Sequence, residues 1–148
     1  MTRAEIIDVL VEHARSPSRR GRLADADVVM PGGNPDCGDV VTVFLKVDRE
    51  HDCVAAASFL GEGCTISQAA ASVLMEQVQG APLAGIEAMD GNDLMETLGR
   101  EVVRMRPRCA TLALSTLKGA VKRYRRERER ERATSEPEEG DRRDGTTG

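Results

Sequence analysis

The spacing of apolar residues changes along the chain from a helical period to a strand period and back. Apolar residues recur at helical spacing over residues 3–15, behind Thr2, which is a suitable N-cap. Segments with alternating or β-branched residues follow and predict three strands, at residues 24–30, 39–47 and 53–60. The turns between them are short, with Gly and Pro at 31–35 and polar residues at 48–52.

Helical spacing returns after the Gly61-Glu62-Gly63 break. Further helices are predicted at residues 65–79, 82–89, 93–103 and from 109 to at least 124. A run of strands followed by a run of helices is typical of an α+β domain. We therefore predict a small antiparallel three-stranded sheet with the helices packed on one face.

Charged residues dominate the chain from Lys122 onward, where nine Lys or Arg and eight Asp or Glu occur. Opposite charges three or four residues apart over residues 125–132 favour a continuation of the last helix into solvent. The remainder is rich in Ser, Thr, Gly, Glu and Pro, a composition that predicts disorder. The chain thus divides into a domain at 1–121 and a charged helical extension with a disordered tail at 122–148.

The composition of the domain excludes several functional classes. Residues 1–121 carry 12 Lys or Arg and 17 Asp or Glu, which argues against nucleic-acid binding. Two Phe, one Tyr and no Trp leave little for base stacking. Neither a secretory signal nor a membrane-length apolar run is evident, so a cytoplasmic location without membrane contact is expected. In that compartment, four cysteines favour metal or redox chemistry over disulfides.

The segment Asn-Pro-Asp-Cys-Gly-Asp at 34–39 places a thiol and a carboxylate two residues apart in a turn. Side chains two apart in an extended loop can point to the same side, so Cys37 and Asp39 could contact one ion. Cys64 and Cys109 each stand at the predicted start of a helix, where the helix dipole stabilises a thiolate. Three thiolates and one carboxylate fit a four-coordinate zinc site or an iron–sulfur cluster. Because no CxxC pair is present, spacing alone leaves this hypothesis open, although an Asp ligand suits an exchangeable site.

The other chemically capable residues have ordinary explanations. Cys53 begins a strand without a neighbouring Gly or helix start, which is typical of a structural cysteine. His13 lies on the first helix and His51 in a polar turn, and both are expected to be surface residues rather than ligands. No serine has an evident base partner in the sequence, so a serine hydrolase is not supported.

Three ordered motifs match a known family. Residues 34–39 resemble its first ligand motif, NPxCGD, residues 61–69 resemble its second, GxGCxIS, and residues 106–112 resemble its third. Through these motifs the chain is identified, over about residues 5–122, as a member of the IscU/SufU/NifU N-terminal family of iron–sulfur cluster assembly proteins. The resemblance implies an α+β scaffold with Cys37, Asp39, Cys64 and Cys109 as ligands of Zn²⁺ or a nascent [2Fe–2S] cluster. It also implies that one cysteine accepts persulfide sulfur from a cysteine desulfurase.

Two departures from the family pattern affect the expected role. IscU-type members place a His directly before the third cysteine and a Leu-Pro-Pro-Val-Lys chaperone segment ahead of it, whereas this chain has Arg108 and residues 101–106 that do not match. The third motif is closer to SufU. Many SufU proteins, however, carry an insertion between the second and third cysteines that the Cys64–Cys109 interval is too short to hold.

Three functions therefore remain open. The first is a scaffold on which iron and sulfur are assembled and passed to downstream apo iron–sulfur proteins. The second is a zinc-dependent sulfurtransferase of SufU type, in which one ligand leaves the metal and takes persulfide sulfur by thiol exchange. Cys37 is the expected acceptor because its Gly-flanked loop moves most easily, and Cys109 is the alternative. The third, a structural zinc adaptor, fits less well with an Asp ligand.

Overall fold

A computed structural model describes residues 2–34, 38–99, 103–104 and 106–135 of the chain. Helix α1 comes first, at Arg3–Arg15, followed by strands β1 at Val28–Asn34, β2 at Asp39–Asp48 and β3 at Cys53–Glu62. Four helices complete the described chain: α2 at Thr65–Val78, α3 at Leu83–Ala88, α4 at Gly91–Leu98 and α5 at Pro107–Ser135. No helix in these ranges is both long and apolar enough to cross a membrane.

The three strands form one antiparallel sheet in the order β1-β2-β3, which confirms the predicted antiparallel three-stranded sheet. Alternate residues of β2, namely Val41, Val43, Leu45 and Val47, are buried in the same apolar core as the inner faces of α2 and α5. Asp39 belongs to this face by the same alternation. Its partner across the β1–β2 pair is Asn34, also buried. Both polar residues thus lie on the helix-covered face, at one end of the sheet.

The first strand is displaced from its predicted position. A strand at 24–30 and a turn beginning at Pro31 were wrong, because β1 runs on through Pro31, Gly32 and Gly33 to Asn34. β1 pairs with β2 only, and proline is tolerated on such an edge strand because one set of its amides needs no partner. Close packing against α5 explains the glycine at position 32, since a Cβ there would lie 2.0 Å from Thr116 Oγ1.

The bounds of one helix also differ from the prediction. The helix predicted at 93–103 corresponds to α4, which begins earlier, with the Asp90 carboxylate accepting from the Asn92 amide, and ends at Leu98. Gly99 follows with a φ of 95°, a left-handed conformation that stops the helix. The last helix begins at Pro107, two residues before Cys109, consistent with the preference of proline for a first helical turn.

Helix α5 crosses position 121 without a break and continues to Ser135. Tyr124 is buried in the core, and burial is the main reason its pKa is raised. Arg125 donates to Glu87 at 2.8 and 3.1 Å, which raises the pKa of the guanidinium, and it also pairs with Asp52. The predicted charged extension is therefore anchored, in its first part, to the β2–β3 turn and α3. The domain boundary at 121 stays a prediction, and the expected disorder of residues 136–148 lies outside the described residues.

Helix α1 is fastened to α2 by a buried hydroxyl. Ser72 is fully buried, lies 2.7 Å from His13 Nδ1, and accepts from the Ser18 amide at 2.7 Å. The Ser18 hydroxyl donates to Glu76 on the same helix. His13 is thus half-buried and bonded rather than an ordinary surface residue, because the chain after α1 folds back over α2. The Ser72–His13 pair does not revive the hydrolase hypothesis, since a fully buried hydroxyl is closed to substrate.

Replacement Ser72→Ala is expected to lower the free energy of unfolding by about 2 kcal/mol, because it removes the acceptor of a part-buried amide. Hydrogen exchange should accelerate most in α1, whose docking depends on this contact. Thr97→Ala is the matched control, because the Thr97 hydroxyl likewise lies on a helix and is hydrogen-bonded, to the Asp93 carbonyl, but is exposed. Equal losses in urea unfolding from both variants would contradict the tethering role.

Candidate metal centre

Asp39 is a buried, hydrogen-bonded carboxylate at the centre of the site. Its side chain is 1 % exposed at the first residue of β2. Its Oδ1 accepts a 2.9 Å hydrogen bond from the backbone amide of Cys64, and its Oδ2 lies 3.9 Å from Cys64 Sγ. A buried carboxylate needs such partners, because taking an unpaired charge out of water is costly. The contact joins the start of β2 to the start of α2.

Cys64 is the N-cap residue of α2, but its side chain does not cap the helix. Its carbonyl accepts from the Ser67 hydroxyl at 3.1 Å, which steadies the first helical turn. Gly63 before it has a φ of 155°, and a Cβ there would lie 2.2 Å from Asp39 Oδ1. Glycine is required at this position because the backbone passes directly against the carboxylate. The half-buried Cys64 thiol therefore stays next to Asp39.

Cys109 enters the site from the first turn of α5 and is 1 % exposed. The Asn34 amide Nδ2 donates to Cys109 Sγ at 3.9 Å. Asn34 ends β1 and lies opposite Asp39 in the sheet register, so the same sheet end positions both the carboxylate and this thiol. Residues from β1, β2, α2 and α5 meet at this point.

Ligand atoms of Asp39, Cys64 and Cys109 all lie within 4.8 Å of one another. In a tetrahedral zinc site with Zn–S bonds of 2.3 Å, neighbouring sulfurs are roughly 3.8 Å apart, so this spacing needs only a small contraction. Two thiols and one carboxylate are also donors that zinc and iron accept. The structure thus brings together three of the four predicted ligands. Cys37 lies outside the described residues, and its place as the fourth ligand stays a prediction.

The remaining candidates lie elsewhere. Cys53 begins β3 and approaches the His51 carbonyl at 3.2 Å, at the opposite end of the sheet from Asp39. His51 pairs with Asp48, whose pKa is lowered mainly by that side-chain hydrogen bond. Within the described part of the chain, neither residue belongs to the metal-ligand group.

A separate cleft of about 240 Å³ lies between the β2–β3 turn and α5. The length of β2 separates it from Asp39 by roughly 30 Å. Two of its arginines already pair with acids, Arg125 with Glu87 and Asp52, and Arg49 with Asp27 and Glu131. Its lining includes two carboxylates, Asp52 and Glu129, but among the described residues neither belongs to a group of side chains that could hold a metal ion.

Two further residues build this site, Asn34 and Gly63; the sequence predicted a backbone break at Gly63 but gave Asn34 no role. Both stand inside recognisable motifs, but neither is a ligand type. The available signal for Asn34 was a polar residue at the end of an apolar strand next to Pro35. For Gly63 it was a glycine directly before a helix-capping cysteine.

Comparisons with known proteins show the family of the chain. The iron–sulfur cluster assembly scaffold protein IscU of Thermotoga maritima is 36 % identical to this chain, with 80 % of this chain and 94 % of the relative covered. The zinc-dependent sulfurtransferase SufU of Bacillus subtilis is 29 % identical, with 76 % and 86 % covered. The N-terminal part of a NifU-like protein from Brucella abortus shares the fold, with a TM-score of 0.69 at 22 % identity over 82 % of this chain and 98 % of that one. The family model described as the NifU-like N terminal domain matches residues 5–131, and the chain belongs to this family.

Proposed function

We propose that the protein takes part in iron–sulfur cluster assembly, accepting sulfur from a cysteine desulfurase and holding iron or a nascent [2Fe–2S] cluster as its cargo. The observation that carries the proposal is the meeting of Asp39, Cys64 and Cys109 from three distant parts of the sequence. Downstream apo iron–sulfur proteins are the proposed recipients, and the cytoplasm is the proposed location. Names of the similar proteins, which include cluster assembly scaffolds, support the same conclusion.

Sulfur would arrive by thiol exchange. The acceptor thiolate attacks the terminal sulfur of the desulfurase persulfide, and a new S–S bond forms to the acceptor Sγ. The bond to the desulfurase cysteine breaks, and its electron pair stays there as a thiolate. A bound zinc or iron ion keeps the ligand thiols deprotonated and ready for this exchange.

Cys37 remains the proposed acceptor, and the burial of Cys109 counts against the alternative. A thiol that is 1 % exposed cannot be approached in line by a persulfide on another protein without opening the start of α5. Cys64 is half-buried and more accessible, but the Asp39 carboxylate lies beside it. Cys37 lies outside the described residues, so its choice as acceptor rests on the Gly-flanked loop that the sequence predicts.

The second candidate is a zinc-dependent sulfurtransferase that relays sulfur without holding a cluster. Arg108 in place of the IscU-type histidine and the similarity to a zinc-dependent SufU favour it. A purely structural zinc adaptor fits less well, because structural sites are closed shells of Cys and His, whereas this group includes a carboxylate and a partly exposed thiol.

Metal analysis of the protein purified without added metal, followed by a desulfurase assay with and without it, separates these functions. About one equivalent of zinc and strong desulfurase stimulation would support sulfur transfer. A [2Fe–2S] chromophore that passes to an apo-protein would support the scaffold. A protein that holds neither metal nor cluster and leaves the desulfurase unchanged would contradict both.

Replacement Cys37→Ser is expected to abolish desulfurase stimulation, because it removes the proposed acceptor. Cys53→Ser is the matched control, since Cys53 lies at the far end of the sheet, and it should keep nearly full stimulation. Persulfide formation on each variant can be measured by mass spectrometry after alkylation. Equal loss of stimulation in both variants would overturn the assignment of the two thiols.

A further inference from the structure

The Asn34 side chain is a buried amide aimed at a thiol. It is 5 % exposed, and its Nδ2 donates to Cys109 Sγ at 3.9 Å. Asn34 is the last residue of β1 and shares the helix-covered face with Asp39, its cross-strand partner. A buried amide has to place its N–H groups on acceptors, because an unsatisfied donor costs free energy. Within the site, the acceptor the structure gives Nδ2 is the Cys109 sulfur.

The two described thiols of the group have opposite hydrogen-bonding roles. The Cys64 thiol donates to the Asp39 Oδ2 oxygen at 3.9 Å. The Cys109 sulfur instead accepts from the Asn34 amide, a contact that fixes the direction in which this sulfur points. Hydrogen bonds to ligand sulfurs are a recognised means of tuning metal and cluster sites. Burial adds to the difference, because Cys109 is closed to solvent while Cys64 is not.

We infer that Asn34 is a positioning residue that holds Cys109 as the anchoring ligand of the site. The inference rests on the proposed metal and sulfur chemistry of the group. Because the donor is an uncharged amide fixed at the end of a strand, it orients the sulfur without adding a charge or a competing ligand.

The test uses cobalt(II), which reports on thiolate ligands through its absorption. Asn34→Leu keeps the branched shape and the number of side-chain heavy atoms and removes the amide, so affinity for cobalt is expected to fall about 10-fold or more. The sulfur-to-cobalt charge-transfer band is expected to move to longer wavelength, because the sulfur loses its hydrogen bond. The band position is measured only on the protein molecules that have bound cobalt, so it does not depend on the overall stability of the variant.

Thr116→Ala is the matched control. Thr116 is a buried polar residue of α5 that touches β1 at Gly32, and its hydroxyl bonds the Leu112 carbonyl rather than a ligand. This variant adds no bulk against Gly32 and is expected to lower stability while leaving cobalt affinity and the band position unchanged. A band shift in Thr116→Ala as large as that in Asn34→Leu would assign the effect to packing and overturn the inference.

A double-mutant cycle with Cys109→Ser tests whether Asn34 acts through that sulfur. In the Cys109→Ser background, Asn34→Leu should leave cobalt affinity and the remaining charge-transfer band unchanged, a clear departure from additivity. Additive effects would overturn the inference while leaving the proposed function intact. Failure of the unsubstituted protein to bind cobalt or zinc would instead contradict the proposed function itself.

Discussion

Gly63→Ala is expected to lower the free energy of unfolding by about 4 kcal/mol and metal affinity by about 100-fold or more. A Cβ at this position would lie 2.2 Å from Asp39 Oδ1 and 2.8 Å from Ser67 Oγ. The carboxylate has little room to retreat, because it is buried and bonded to the Cys64 amide. Either Asp39 leaves its position or the Gly63–Cys64 backbone moves, and both changes separate the ligand atoms.

Gly80→Ala separates the steric effect from the backbone effect. Gly80 also has a positive φ, 79°, but a Cβ there would meet nothing within 4 Å. It follows α2, far from Asp39, so the substitution should cost only about 1 kcal/mol of backbone strain and leave metal affinity unchanged. Urea unfolding and zinc competition titrations on both variants provide the comparison. Equal metal affinity in the two variants would show that the carboxylate tolerates a Cβ at residue 63.

The sequence predicts strands and helices well where the spacing of apolar residues matches the residues that the fold buries. β2 shows this, because its alternating residues Val41, Val43 and Leu45 are the buried ones. Prediction failed where a local turn signal competed with tertiary packing. Pro31, Gly32 and Gly33 have the composition of a turn, yet they continue β1, because an edge strand tolerates proline and α5 lies against Gly32.

The site was predictable as a set of ligand types and motifs, but its geometry was not. Asp39, Cys64 and Cys109 carry their chemistry in their side chains, so the motifs alone were enough to predict them as ligands. The Asn34 amide is not a typical metal ligand, and its role depends on α5 placing Cys109 over the end of β1. Such a contact joins residues 75 apart in the chain, and no local pattern encodes it.

Gly32→Ala is expected to lower the free energy of unfolding by about 3 kcal/mol, because its Cβ would lie 2.0 Å from Thr116 Oγ1. The hydroxyl is held by the Leu112 carbonyl at 2.9 Å, and a β-branched side chain in a helix has few other rotamers. β1 and α5 must therefore move apart. Gly32 precedes Asn34 by two residues on the same strand face, and Thr116 follows Cys109 by two helical turns. The same displacement should open the Asn34–Cys109 contact and lower metal affinity about 10-fold.

The Thr116→Ala background should relieve the clash, because the nearest remaining atom would be the residue 116 Cβ, 3.1 Å away. In that background Gly32→Ala is expected to cost less than about 1 kcal/mol, giving a favourable coupling of about 2 kcal/mol in urea unfolding. Metal affinity should recover along with stability, since both losses arise from one displacement of α5. Additive stabilities would mean that the Gly32–Thr116 contact does not set the spacing of β1 and α5. Restored stability without restored metal affinity would mean that this spacing does not control the position of Cys109.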